Sequence, residues 1–183
     1  LSDFLIFEMG TNNFSEIKEL TSVVMPSQII ITNIFPTHLE KLINTKNIAK
    51  EKADIFNPKY NSKVELAILP NENIDEQFLV KIAKKNKIKN IQTFGGKSKL
   101  CLKIKKIRNI NKQFVMVSLE YKNSIIDLTI NNNQIYKLNN ILICFLIFKY
   151  NKLDFSFFLS KIKKIPLLVG RGKHSKIIFY KRK

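Results

Sequence analysis

Glu8, His38 and Lys52 are of residue types that can serve a metal ion or a phosphate-bearing ligand, and all three fall in the first third of the 183-residue chain. Glu8 closes the apolar run "FLIFE" (residues 4–8), which reads as a buried strand. A carboxylate at the C-terminal end of such a strand is well placed for a ligand, because open α/β sheets bind at that rim. On the residues alone, such a Glu is more often a strand-end residue that caps the next helix. His38 lies a few residues beyond the second apolar run, "QIIIT" (28–32), on the same rim, although a loop His is also an ordinary surface residue. Lys52 is the odd one. Ile48, Lys52, Ile55 and Phe56 fall at i, i+4, i+7 and i+8, the spacing of a buried helical stripe. An ammonium group there either snorkels to water or is neutralised by a partner. A third outcome is chemical: burial leaves part of the amine neutral, and a neutral amine adds carbon dioxide to become a carbamate, an oxygen ligand for Mg²⁺.

A second candidate does not hold. "FGGKSKL" (94–100) contains Gly96-Lys97-Ser98, but a phosphate-binding loop also needs a glycine at position 91 and a helix afterwards. Position 91 is Ile, and an alternating strand pattern follows, so the triplet reads as a turn between strands.

The elements that must position these residues alternate in type. After the strand at 4–8, "FSEIKELTSVV" has helical spacing at Ile17, Leu20 and Val24, with Ser15 as N-cap and Pro26 as stop. Strand 28–32 follows, then the helix carrying Lys52, a strand at 64–69, a helix over 75–85 and a strand at 91–94. Strands alternating with helices predict a Rossmann-like, mostly parallel sheet flanked by helices, an α/β fold. After Gly95–Gly96, "LCLKIKKI", "QFVMVSLEY" and "SIIDLTI" alternate apolar with polar, which predicts a small antiparallel section at about 98–130, with turns at "NINK" and "NNNQ". Helical spacing returns at 134–150 and 155–163, and the tail "SKIIFYKRK" reads as one more strand.

Composition narrows the partners. The formal net charge is +18, but the basic residues are almost all Lys scattered among Asn and Ile, a mixture that an AT-rich genome accumulates regardless of function. A dedicated nucleic-acid surface adds Arg and clusters its charge, so no specific nucleic acid is expected, and a basic nucleic-acid-binding module stands as the alternative. The longest apolar run, "ILICFLIF" (141–148), is less than half a membrane span and reads as a core helix, so no membrane is expected. Cys101 and Cys144 lack metal spacing and read as reduced thiols of a cytoplasmic protein.

The first third of the chain resembles the central ATPase domain of the bacterial Mur ligases, in particular the branch that joins D-alanyl-D-alanine to UDP-N-acetylmuramoyl-tripeptide. The matching residues are Glu8-Met9-Gly10 with Asn12 and Glu16-Ile17, then Asn33-Ile34 and His38-Leu39-Glu40, then Lys52 with Ile55-Phe56. The resemblance implies that Glu8 and His38 hold Mg²⁺, that Lys52 is carbamylated, that Asn33 and Arg171 contact ATP, and that Asn12 contacts substrate. It implies ATP-dependent amide formation through an acyl phosphate. Departures are visible: Thr11, Asn13 and Ser15 replace the usual Ala, His and Gly, and Pro70 stands where an Asn is usual. Asn131, Asn133 and Lys137 occupy the Gly, His and Asn positions of the stretch near adenine. Residues 1–183 are read as a partial central domain, without the phosphate-binding loop, the N-terminal UDP-binding domain or the C-terminal domain. The expectation is a fragment inactive by itself, or a structural piece of a split ligase whose remaining segments are encoded separately.

Overall fold

The protein is described by a computed structural model covering residues 3–36, 39–95 and 101–165. At its centre is strand β2 (Leu66–Pro70), "LAILP", buried along its whole length. A strand without polar side chains needs cover on both faces, and β2 has it. Leu66 and Ile68 enter one apolar core, and Ala67 and Leu69 enter the other. Strand β1 (Gln28–Ile30) pairs parallel to β2 on one side, and β3 (Asn90–Gly95) pairs parallel on the other.

Six strands form a single sheet in the order β1-β2-β3-β4-β5-β6. Phe94 and Gly95 pair parallel with Leu102 and Lys103 of β4 (Leu102–Asn109). The antiparallel ladder then runs through β5 (Phe114–Tyr121) and β6 (Ser124–Asn131). The expected antiparallel section is therefore continuous with the parallel sheet. Its alternation is real: Val115, Val117 and Leu119 are buried, while Glu120 on the other face bridges Lys103 and Lys105 at 2.9 Å each.

Helices cover both faces. Before β2 come a short helix α2 (Leu39–Leu42) and α3 (Thr45–Ala53). Together with α4 (Ile74–Lys85), α3 packs on Ile29, Ile31, Ala67 and Leu69. Asn73 and Glu76 form a reciprocal capping box at the start of α4. On the opposite face, α5 (Leu138–Tyr150) and α6 (Phe155–Ile162) bury Ile141, Leu142, Phe145, Phe158 and Ile162 against β3 to β6. "ILICFLIF" is thus a core helix, and among the described residues no helix is long and apolar enough to cross a membrane.

Two expectations need correction. Residues 4–8 do not form a strand; the segment is irregular, and Phe4, Leu5, Ile6 and Phe7 are exposed, Ile6 to 94%. Apolar composition makes a strand only where a neighbouring strand supplies hydrogen bonds, and β1 pairs with β2 alone among the described residues. Helix α1 (Glu16–Val24) forms, with Pro26 just beyond it, but its buried face is Ile17 and Thr21 while Leu20 is exposed. The tail strand expected at "SKIIFYKRK" and the turn at 96–100 lie outside the described residues, although the strand after that turn, β4, is present.

Candidate functional site

Lys52 lies in the last turn of α3. Asn44 caps that helix by accepting from the Asn47 N–H at 2.9 Å, and Ile48, Ala49 and Ala53 turn its inner face to the core. Ile48 and Phe56 are buried and Ile55 partly so, so the stripe runs as spaced, with Lys52 half-buried along it. Its ammonium does not snorkel free, and among the described residues it meets no carboxylate. Lys52 Nζ donates to the backbone carbonyl of Asn33 at 2.9 Å. Asn33 follows β1, whose ladder is carried on by Ile31 N–H donating to Ile68 O at 3.0 Å, so the amine reaches the carboxyl rim of the sheet. Burial pushes the Lys52 pKa down. A carbonyl acceptor supplies no compensating charge, so the neutral amine gains population.

The segment from Thr11 to Ile17 is built around two carboxylates. Glu16 accepts from the backbone N–H groups of Asn12 at 2.6 Å and Asn13 at 3.1 Å, and from the Asn13 side-chain amide. These bonds, the Asn13 side chain first, hold the Glu16 carboxyl down at about 2. The second carboxylate is Glu51, only 3% exposed and next to Lys52 on α3. It accepts from Ser15 N–H at 2.8 Å and from Ile17 N–H at 2.9 Å. Ser15 holds the N-cap position of α1 with a φ of 74°, and its hydroxyl makes no capping bond. The expected Ser15 cap is thus replaced by a side chain 36 residues away. With a positive φ at Ser15 the hydroxyl does not cap, and the orphan N–H groups of the first turn need another acceptor. Burial, followed by the nearby Glu51 charge, pushes the Asp54 carboxyl up.

Of the residues singled out from sequence, Lys52 and Asn33 are brought together directly. Glu8 is exposed in the irregular segment before Gly10, and Asn12 is exposed with its N–H on Glu16. His38 and Arg171 lie outside the described residues, and among those residues no three His, Cys, Asp or Glu side chains are grouped to hold a metal ion. Pro70 ends β2. Just beyond it, Glu72 lies so close to Gly95, at the end of β3 with a φ of 148°, that any Cβ there would collide with its side chain. Asn131 caps the 3-10 turn Asn132–Lys137, accepting from Asn133 N–H at 3.2 Å, and with Lys112, Gln113, Asn132 and Asn133 it lines an open, polar cleft of about 560 Å³.

Glu51 is the residue that sequence reasoning missed. The signal was present: it stands three residues after Ile48 and four before Ile55, on the same stripe that made Lys52 conspicuous.

The family described as Mur ligase middle domain matches residues 2–148. The UDP-N-acetylmuramoyl-tripeptide–D-alanyl-D-alanine ligase of Rickettsia prowazekii is 33% identical over 174 residues, which are 94% of this chain and 38% of that enzyme. MurF from Acinetobacter baumannii superposes with a TM-score of 0.70 at 17% identity, covering 88% of this chain and 34% of that one. MurF from Thermotoga maritima, solved in complex with ADP, gives a TM-score of 0.70 at 18% identity, covering 87% and 36%. The chain therefore spans little more than a third of the length of these relatives.

Proposed function

We propose that this chain, which belongs to the Mur ligase family, carries the ATP- and magnesium-handling part of a peptidoglycan-precursor ligase that joins D-alanyl-D-alanine to UDP-N-acetylmuramoyl-tripeptide. The observation that carries the reading is the Lys52 amine, half-buried, lowered in pKa and held on the Asn33 carbonyl at the sheet's carboxyl rim. A neutral Nζ attacks the carbon of carbon dioxide, a C–N bond forms, one C=O pair moves onto oxygen, and the nitrogen gives up a proton to water. The product keeps one N–H, which can go on donating to Asn33 O, and presents two oxygens suited to a hard cation. Glu8 and His38 would hold that cation, with the Lys52 carbamate organising the site. Magnesium, when bound, offsets charge on the phosphate oxygens of ATP. Asn33 and Arg171 would contact ATP, and Asn12 the substrate.

In the reaction, the tripeptide carboxylate takes the γ-phosphoryl group and ADP leaves. The neutral D-alanyl-D-alanine amine then attacks the acyl carbon, a C–N bond forms as the acyl C–O bond to phosphate breaks, and phosphate departs while the nitrogen gives up a proton to water. Residues 1–183 act as a partial middle domain. The phosphate-binding loop, the UDP-gripping domain and the C-terminal domain come from other ligase segments, whether on the same polypeptide or encoded separately. The setting is the cytoplasm.

The test uses the chain itself, equilibrated with ¹³C-bicarbonate and read by NMR for a carbamate carbon, followed by a magnesium titration. A carbamate signal that strengthens with magnesium and vanishes in Lys52→Ala is the expected result. Absence of that signal in the unsubstituted chain overturns the reading.

A further inference from the structure

Two segments meet at Glu51, the neighbour of Lys52 on helix α3: that helix and the segment that follows Glu8. What joins them is a carboxylate to which nothing above assigns a role in the reaction. We propose that Glu51 is the positioning residue of the proposed Lys52 site, its carboxylate clamping the Ser15 and Ile17 N–H groups of the Glu8-bearing segment to the helix that carries Lys52. This inference rests on the reading of Lys52 given above.

Three observations carry it. First, both oxygens of Glu51 are committed, Oε2 to Ser15 and Oε1 to Ile17, so the contact fixes orientation as well as distance. Second, the carboxylate is almost fully buried, and a buried carboxylate with two backbone donors resists displacement because no water replaces the lost bonds. Third, α1 has no side-chain cap of its own, so its first turn has few other acceptors to turn to. On the segment's other half, Glu16 takes the N–H groups of Asn12 and Asn13. The backbone donors of residues 12, 13, 15 and 17 are therefore satisfied by the chain's own acids, and the segment is a strut, not an anion-binding loop. Because Glu51 and Lys52 are adjacent on α3, whatever fixes Glu51 against Ser15 also fixes the root of Lys52 relative to the residues after Glu8.

The experiment compares the unsubstituted chain with Glu51→Gln and Glu51→Asp. It reads amide hydrogen exchange at Ser15 and Ile17, the acetylation rate of Lys52 relative to Lys81 by mass spectrometry, and the ¹³C carbamate signal. Gln keeps one acceptor and turns an N–H₂ group toward a backbone N–H, so exchange at Ser15 and Ile17 should quicken at least about tenfold, roughly the loss of one net hydrogen bond. Lys52 should label several-fold faster while Lys81 is unchanged, and Asp, which keeps the carboxylate, should restore part of the protection. Faster exchange without any change at Lys52 would show a merely structural clamp and overturn the inference. If Gln prevents folding, Asp alone decides, since labelling of Lys52 at the unsubstituted rate despite faster exchange at Ser15 would overturn it. An unsubstituted chain with no carbamate but with Glu51-dependent shielding of Lys52 would sink the proposed function and leave the positioning role standing.

Discussion

Replacing Phe145 by Ala tests the two-sided sheet on which the site depends. Phe145 is 0% exposed in α5. It meets Tyr121 edge-on at 5.4 Å, Phe155 at 5.3 Å and Phe158 at 6.3 Å between ring centroids, so one ring ties α5 to β5 and to α6. Burial of a phenyl ring contributes about 1.5–3 kcal/mol, and the cavity left behind raises the cost of Phe→Ala to about 3–5 kcal/mol. Edge-to-face pairs are worth roughly 0.5–1.5 kcal/mol beyond area, which favours the upper half of that range. Against a whole-domain stability of about 5–15 kcal/mol this is a large fraction, and it should lower Tm by roughly 10 °C. The assay is urea unfolding followed by circular dichroism, with Phe157→Ala as control. Phe157 is 52% exposed, and its loss should cost less than about 1 kcal/mol. Because α3, the helix that carries Lys52, packs through Ile48, Ala49 and Ala53 into the other core with Ala67 and Leu69, the Lys52 acetylation rate in folded Phe145→Ala should be unchanged. A loss under about 1 kcal/mol for Phe145→Ala, or a difference from Phe157→Ala within error, would refute the packing described for α5 and α6.

Glu16 titrates at about 2 in the folded chain, below its ordinary value, so its bonds stabilise fully above the unfolded value near 4.5. That stabilisation is lost as pH falls through the window between them, and Glu16→Gln should flatten the stability profile measured there by urea titration. The 183 residues expressed by themselves should hydrolyse no ATP in a phosphate-release assay, since their sequence carries no complete phosphate-binding-loop pattern to cradle the β- and γ-phosphates; steady magnesium-dependent turnover abolished by Lys52→Ala would contradict this. DNA binding should be weak and non-specific, with Lys103 and Lys105 already engaged by Glu120; a steep salt dependence in filter binding, signalling many released ions, would favour the basic-module alternative.

Much of the fold was legible because its signals are local. The buried run around Leu66–Leu69 and the period-2 alternation of Val115, Val117 and Leu119 are patterns that burial imposes within a single element. The helix expected over 75–85 from its apolar spacing is α4, and the structure adds the Asn73–Glu76 capping box at its start. "FLIFE" misled because composition reports apolarity and says nothing of who supplies the ladder. The joining of the antiparallel strands to the parallel sheet was not legible either, since the pairing of Phe94 with Leu102 is a tertiary event.

The site divides in the same way. Lys52 drew notice because a charge on an apolar stripe violates periodicity, and its partner could not be named because that partner is a backbone carbonyl, which carries no sequence signature. Glu51 lies on the same stripe and is the more buried of the two, but its partners are backbone N–H groups 34 and 36 residues away, which carry no sequence signature. The physical asymmetry favours the acid as the fixed point. A carboxylate with two backbone donors is held in place, whereas an amine with one carbonyl acceptor and a lowered pKa is free to lose its proton and react. Under the function proposed for this chain, adjacent charges on α3 divide the labour, Glu51 holding the geometry and Lys52 supplying the chemistry.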